Sequence, residues 1–546
     1  MKFKTAFILT LIIFCAGGLF AGPFDMISAG DPIIDDLRFL SLSSGKSILS
    51  FTFPLSPYEI RNFLEALDKS SMSAAETEAF DRVEKRFIPD ARIKITGSVF
   101  SLFFTPGSEF EIRARLNDEV SWYPDFPRVP SIISLPLRLH FGSVFQLYME
   151  PGFTMNTDFY NKAGPFVYNS PFDLMQYDWS TPLRAFIAGG GPWWNVQLGR
   201  DRLSFGTGYT GNLAVSDNPD FYEFFRYSFF SEYFKYSFLI AQMPLELESG
   251  MMDIELYGYI FDEGSTGLRR TMNRYFYMHR IDFSIRKILS IGITEGIMAG
   301  NAPPEIRFFN PLMIFHSFYA WRNYDKWNDE GNMVGSLFSA EINWNIIKSL
   351  SVYGQFAMNE LSLWLETASN PNQPPNGFGY IAGIQYSHSF RKSPWASVFF
   401  FEFASTDPYL CLNGSPFSSF IHMRYVYDKS KRYTFMGYPR DLIALNLGAR
   451  FFNAGALEFN GLLSFVSKGE HDIHYDWQKT PEAFAEKNPS GTAEKKLIAS
   501  VSSQWKINKF FTLNSSITGI FSLNNNHVLG TNEAGLQAAL SVKFVY

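Results

Sequence analysis

The sequence predicts an all-β membrane protein, a transmembrane antiparallel β-barrel of about 16–18 strands that carries a small N-terminal α-helical bundle. Three observations lead there. From about Ala91 to the last residue, apolar and polar side chains alternate with period two, as in strands whose two faces meet different surroundings. Beyond an N-terminal leader, no stretch reaches the roughly 18 consecutive apolar residues that a spanning helix needs, so a bilayer has to be crossed by strands paired in a closed sheet. Charged residues also recur on the polar faces of these strands, which is costly in lipid or a dry sandwich core and easy in a hydrated lumen.

The elements follow in chain order. Lys2 and Lys4 precede an uncharged run to Pro23 whose apolar centre, Ala6 to Phe14, has the length of a signal-peptide core, with the expected cut after Ala21. Residues 1–21 are thus assigned to a signal peptide. Cys15 offers a lipoprotein signal as the alternative, although the bulky Phe14 before it departs from that pattern. Residues 22–90 read as a periplasmic helical region. Ser56-Pro57-Tyr58-Glu59 is a capping box with proline at the first helical position, and Ile60, Phe63, Leu64 and Leu67 follow at helical spacing. Ser73-Ala74-Ala75-Glu76 repeats the signal ahead of Phe80, Val83 and Phe87. A short helix is expected over Asp35 to Leu40, acidic at its start. Such helices need something to pack against, and either a plug for the barrel or a separately functional domain satisfies that.

Residues 91–546 read as the barrel with long extracellular loops. Its clearest hairpin sets Ile443, Leu445, Leu447, Ala449 and Phe451 on one face, turns at Asn453-Ala454-Gly455, and returns with Leu457, Phe459, Gly461, Leu463 and Phe465. Asn446, Arg450, Glu458, Asn460 and Ser464 occupy the other face. A second pair sets Ala340, Ile342, Trp344 and Ile346 against Val352, Gly354, Phe356 and Met358 across a turn at Ile347-Lys348-Ser349, with Glu341 and Gln355 on the polar side. The final strand carries Leu536, Ala538, Leu540, Val542, Phe544 and Tyr546 outward and Gln537, Ser541 and Lys543 inward. Its terminal aromatic resembles the C-terminal signature of bacterial outer-membrane barrels, which implies the barrel-assembly machinery as a partner and outer-membrane lipid as the solvent.

Composition agrees with this class. Aromatic residues make up 18% of the chain, well suited to interfacial girdles, while a mean hydropathy of −0.06 fits strands that are polar on one side. A net charge of −6 argues against nucleic acid as a partner. With Cys15 in the leader, Cys411 remains alone and no internal disulfide can form. Short turns alternate with long connections, and four of the latter stand out: Tyr160 to Pro182, Arg200 to Asp220, Ala302 to Gly335 and Asp472 to Gly491.

The connection around Trp321, Arg322, Tyr324, Asp325 and Trp327 mixes flat aromatic faces with guanidinium and carboxylate, the groups that stack on sugar rings and bond sugar hydroxyls. An interfacial girdle uses the same residues. Arg200 and Arg202 near a strand end suit an acidic sugar or phosphate, and equally a lumenal ion-pair network. Catalytic signals are sparse. His471-Asp472-Ile473-His474 lacks a third ligand, no G-x-S-x-G is present, and neither a metal nor a cofactor is expected.

Several short motifs in order resemble the Wzi-like capsule-assembly proteins of the outer membrane. They are Asp36-Leu37-Arg38-Phe39-Leu40 with Phe53-Pro54-Leu55-Ser56, Trp194 to Arg200, Asn212 to Ser216, Tyr277 to Arg280 with Ile291 to Glu295, Asn310-Pro311-Leu312-Met313 with Gly331-Asn332, and Tyr353 to Phe356 with Asn359-Glu360. Asn359 stands where the family typically has the first of two acids. The resemblance implies an outer-membrane barrel with a periplasmic helical bundle that acts as a lectin, binding exported polysaccharide at the cell surface. The expectation is therefore a non-enzymatic, monomeric polysaccharide-binding barrel that uses Arg200, Arg202, Trp321, Arg322, Tyr324, Asp325 and Trp327. The alternatives are a porin-like channel lined by Glu341, Arg450, Glu458 and Lys543, and a hydrolase built on His279, His471 or His474.

Overall fold

The computed structural model describes residues 24–87, 93–97, 99–123, 131–155, 164–169, 177–180, 184–219, 221–243, 245–246, 271–272, 274–300, 304–318, 333–361, 376–390, 393–411, 420–423, 431–433, 437–453, 455–471 and 487–546. Residues 1–21, where a signal peptide is expected, and the segment from Trp321 to Trp327 lie outside these residues.

Three helices come first: α1 (Ile33–Ser44), α2 (Pro57–Leu64) and α3 (Ala74–Arg86). Both anticipated capping boxes form, with the Ser56 and Ser73 amides donating to Glu59 and Glu76 at 2.8 and 2.6 Å. Helix α1 is longer than the Asp35–Leu40 expected. It runs on through Ser41 to Ser44 until Gly45, at φ +71°, turns the chain, with the Lys46 amide reaching back to the Ser41 carbonyl at 3.2 Å.

The barrel follows. Its first four staves are interrupted strands: β1 (Phe100–Phe104, then Gly107–Arg115), β2 (Ile133–Ser134, then Leu137–Phe141), β3 (Phe145–Met149, then Gly152–Met155) and β4 (Tyr177–Ser180, then Ala185–Gly191). Then come β5 (Trp194–Asp201), β6 (Tyr222–Phe230), β7 (Phe234–Gln242), β8 (Arg274–Ile285), β9 (Leu289–Gly300), β10 (Met333–Ile347) and β11 (Leu350–Glu360). The circuit continues with β12 (Gly377–Ser389), β13 (Trp395–Thr406), β14 (Leu442–Asn453), β15 (Leu457–Lys468), β16 (Glu494–Lys506), β17 (Phe511–Leu523) and β18 (Asn532–Val545). Each stave pairs antiparallel with the next, and β18 pairs with β1, Leu540 opposite Ile112 and Phe544 opposite Ser108, so among the described residues eighteen staves close the sheet. Tyr546 finishes the seam, its amide donating to the Pro106 carbonyl at 2.8 Å.

The anticipated faces hold. Leu447 pairs with Leu463 and Val501 with Ile517, and Leu447 and Val501 are 54% and 61% exposed on the outer wall. On the inner side Arg450 donates to Glu458 at 2.7 Å and Ser464 to Asn446 at 2.6 Å, so β14 and β15 pair polar side chains across the lumenal face.

The helices share a core with the barrel. Phe39 packs edge-on against Phe452 of β14 at 5.1 Å, and α1 to α3 bury their apolar stripes together with Ala396, Val398 and Phe452. They lie at the end of the short turns: the Ser47 amide donates to the Lys287 carbonyl at 2.7 Å, and the Ser349 amide to the Leu42 carbonyl at 2.8 Å.

Two long connections depart from a reading as surface loops. The stretch from Tyr160 to Pro182 contributes strand segments Phe166–Tyr168 and Tyr177–Ser180 to the wall. Residues 202–219 fold into the lumen. Leu203, Phe205, Leu213 and Val215 join one buried cluster with Phe224 of β6, Met278 of β8, Leu337 of β10, Tyr353 of β11, Ile381 of β12 and Ala444 of β14. Burying four apolar side chains there outweighs leaving them in water, by about 1.5–3 kcal/mol each.

Candidate functional site

The lumenal plug is held by one carboxylate. Glu402, fully buried on the inner face of β13, accepts from the Tyr209 amide at 2.8 Å, the Thr210 amide at 3.2 Å, the Tyr353 hydroxyl at 2.7 Å and the Tyr438 hydroxyl at 2.8 Å, and from the Thr210 hydroxyl. Tyr209 also stacks on Phe400 with ring centres 4.2 Å apart. From the helical side Arg38 donates to the carbonyls of Thr207 at 2.8 Å and Gly208 at 3.2 Å. Thr52–Phe53, between α1 and α2, pairs as a short ribbon with Ser204–Phe205. Helices, plug and wall are thereby one body across β6 to β14.

The opposite side of the lumen differs. Inward residues of β1 and β15 to β18 line a polar groove of about 340 Å3, among them Glu111, Arg113, Ser502, Gln504, Asn514, Ser516 and Ser541. Gln504 donates to Asn514 at 3.1 Å, and Asn514 donates to Ser541 at 3.0 Å. The groove is roofed by the segment after β1, where the Tyr123 amide donates to Gln537 at 2.7 Å and the Gln537 amide returns to the Ser121 carbonyl at 2.8 Å. Trp122 lies under Arg115, 4.9 Å from its guanidinium. An aromatic roof over hydroxyls and amides is suited to water and to sugar hydroxyls. Sequence reasoning missed this groove, because the convergence of the polar faces of β16 and β17 under Trp122 and Tyr123 has no local signal in the chain.

Arg200 and Arg202 do not converge. Asp201 between them points inward and is fully buried, bonded to Arg184 at 2.8 Å. Arg200 lies on the other side of the wall, donating to Glu223 at 2.6 Å with its guanidinium 4.0 Å from the Phe221 ring. The Arg202 guanidinium reaches inward to Gly30 in the segment before α1, where a Cβ would come within 2.8 Å of it. Trp321, Arg322, Tyr324, Asp325 and Trp327 lie outside the described residues.

The inward charges proposed for a channel are paired: Glu341 takes Arg280 at 2.7 Å, Arg450 holds Glu458, and Lys543 lies 4.0 Å from Glu109. Of the histidines, His279 is enclosed on the outer wall of β8 and His471 is buried with its amide on Asp441 at 2.9 Å, while His474 is outside the described residues. Among the described residues no cluster of His, Cys, Asp and Glu could hold a metal ion.

A family model described as capsule assembly protein Wzi matches residues 132–438, more than half of the chain. The chain belongs to the Wzi capsule-assembly family. The matched span runs from the start of β2 to the segment before β14, and so contains the plug, Glu402 and most of the wall around them, whereas the helices and the groove-bearing strands β15 to β18 fall outside it. The early motif around Asp36 to Ser56 thus lies beyond what the Wzi model covers, although the fold places it against the plug.

Among solved structures the chain resembles Wzi of Escherichia coli, described as an outer-membrane, carbohydrate-binding β-barrel involved in group 1 capsule assembly. Sequence identity is 15%, the superposition covers 95% of this chain and 99% of that one, and the TM-score is 0.56. The likeness is one of fold. The outer-membrane channel DcaP of Acinetobacter baumannii matches at 8% identity over 84% of this chain and 100% of that one, with a TM-score of 0.35. OccK8 of Pseudomonas aeruginosa matches at 8% identity over 82% and 98%, with a TM-score of 0.39. No curated protein matches the chain.

Proposed function

We propose that this protein is an outer-membrane barrel lectin that binds and organises exported polysaccharide at the cell surface without catalysing a reaction. The observation that carries this reading is the filled lumen: α1 to α3 and the plug close β6 to β14 from within, which suits a rigid binding scaffold better than a conduit. Family membership and the carbohydrate binding described for the Escherichia coli protein agree with it. The short turns and the helices then face the periplasm and the long connections the exterior. In this reading the contacts to glycan come from Trp321, Arg322, Tyr324, Asp325 and Trp327, with Arg200 at the wall beside Phe221 and Arg202 on the plug serving as separate contacts.

Replacing Trp321 and Trp327 with alanine tests the loop. Glycan retention should fall while the heat-modifiable gel mobility of the barrel stays unchanged; undiminished retention removes the loop from the mechanism. The polar groove along β15 to β18 favours a second reading, a narrow aqueous path. Planar-bilayer recordings separate the two, because a plugged lectin passes little current and a porin conducts steadily.

A further inference from the structure

Residues 304–318, which follow β9, fold back over the outside of the barrel. Phe308 and Phe315 are buried against Tyr236 and Phe238 of β7, Tyr277 of β8, and Ile297 and Ala299 of β9. These wall residues alternate with Ser237, Leu239, Met278 and Met298, which face the lumen, so the covered surface is the outer one.

The outer wall is unusually polar beneath this flap, and the two satisfy each other. The Phe308 carbonyl can only accept, so His279 Nε2 carries the proton it receives at 3.2 Å, and Nδ1 takes the Tyr236 hydroxyl at 2.9 Å. Tyr227 donates to the Phe309 carbonyl at 3.1 Å, and Glu295 accepts the amides of Phe315 at 3.0 Å and His316 at 2.9 Å. Inside the flap, the amides of Phe308, Asn310, Leu312 and Met313 find Glu305, Arg307 and Asn310 at 3.1 to 3.3 Å. Irregular backbone at membrane depth has to be bonded and shielded by protein, and these bonds hold part of the flap's backbone against the wall.

The other side of the flap is uncovered and exposes Ile306 (88%), Leu312 (89%) and Ile314 beside Pro311, with the polar Asn310 and His316 also exposed. It continues the wall beside it, where Ile293 of β9 and Ile342 of β10 are each 43% exposed. His279 and Glu295 are directly paired near the middle of β8 and β9, so on these strands the flap covers the half farther from the short turns, while on β7 it reaches down to Tyr236.

We propose that this flap is a lipid-facing element, seated against the acyl chains of the outer leaflet through Ile306 and Leu312. This rests on the outer-membrane reading above. The occupant follows from continuity with the lipid-facing wall and from the bonds by which the wall's His279, Tyr227 and Glu295 hold the flap's backbone.

The test uses nitroxide labels on single cysteines in the full chain reconstituted in liposomes, in a Cys15→Ala background. Cys411 takes no label, being buried in the plug core with its thiol pushed up to about 12 by that burial. Labels at Leu312→Cys and Ile306→Cys should be relaxed severalfold more by oxygen, which concentrates in lipid, than by a water-soluble nickel chelate. Ile293→Cys on the bare wall should behave alike, and Leu529→Cys, on the connection before β18, should show the reverse. Preference for the chelate at 306 and 312 with Ile293→Cys still lipid-like overturns the flap proposal alone; preference for it at Ile293→Cys as well overturns the membrane reading. Spin–spin broadening between labels at 312 would show a second copy of the chain in place of lipid and would also overturn it.

Discussion

The Arg38 guanidinium of α1 lies 4.8 Å from the centre of the Tyr209 ring, so a helix near the chain start holds the tip of the lumenal plug. Its two bonds to the carbonyls of Thr207 and Gly208 come from a part-buried guanidinium and, at ordinary hydrogen-bond strength, contribute about 2 kcal/mol together. Arg38→Ala should therefore speed hydrogen exchange of the plug amides by roughly 30-fold. Mass-spectrometric exchange of peptides spanning 203–215 checks this, and unchanged protection would show that the plug stands without α1.

Removing Glu402 should loosen the same plug from the wall side. Glu402→Ala leaves two tyrosine hydroxyls and two backbone amides without their acceptor, at a cost of about 1–3 kcal/mol for each group that water cannot reach. Single-channel recordings should show brief openings in the variant that the parent lacks. A silent variant with unchanged thermal stability would argue against this tie.

Arg280 is the keystone of the inner wall on β8, donating to Asp282 and to Glu341 at 2.7 Å each with all three side chains buried. Arg280→Met strands two carboxylates and should destabilise the barrel by about 3–5 kcal/mol. The temperature at which the folded band disappears in a heat-modifiability gel should fall, and adding Glu341→Gln should restore part of the loss.

Asp25 gives the helical region a dependence on acid. Burial would raise its pKa, but Arg86, which it meets at 2.5 Å, and Arg138 outweigh burial and hold the carboxyl at about 2, against 3.8 for the free group. A depressed folded pKa means stabilisation present in full above about pH 4 and lost as pH falls toward 2, roughly 2 kcal/mol in all. Proteolysis by pepsin within residues 24–87 should accelerate over that window, and Asp25→Asn should remove the dependence.

Much of this was legible in the chain because strands and helices declare themselves locally. Leu445, Leu447 and Phe451 alternate with Asn446 and Arg450 whatever lies across the lumen, and Ser56 and Ser73 cap their helices through a glutamate three residues away. Helix α1 exceeds the expected Asp35 to Leu40 at both ends, starting at Ile33 and running through Ser41 to Ser44, which resemble a loop until Gly45 ends the helix. Trp321, Arg322, Tyr324, Asp325 and Trp327, proposed as glycan contacts from residue chemistry and resemblance, lie outside the residues the structure describes.

The sequence by itself determined the two faces of strands such as β10, β11, β14, β15 and β18, the starts of α2 and α3, and the family, since each depends on neighbours within a few positions or on motifs in order. Only the tertiary structure decided where the connections go. Residues 202–219 turned inward because Glu402, far along the chain from Tyr209, offers acceptors on the inner wall, and residues 304–318 turned outward because His279, Tyr227 and Glu295 offer partners on the outer one. Both segments look like polar-apolar loops in one dimension. What separates them is which side of the wall can satisfy their backbone, and that exists only once the sheet has closed.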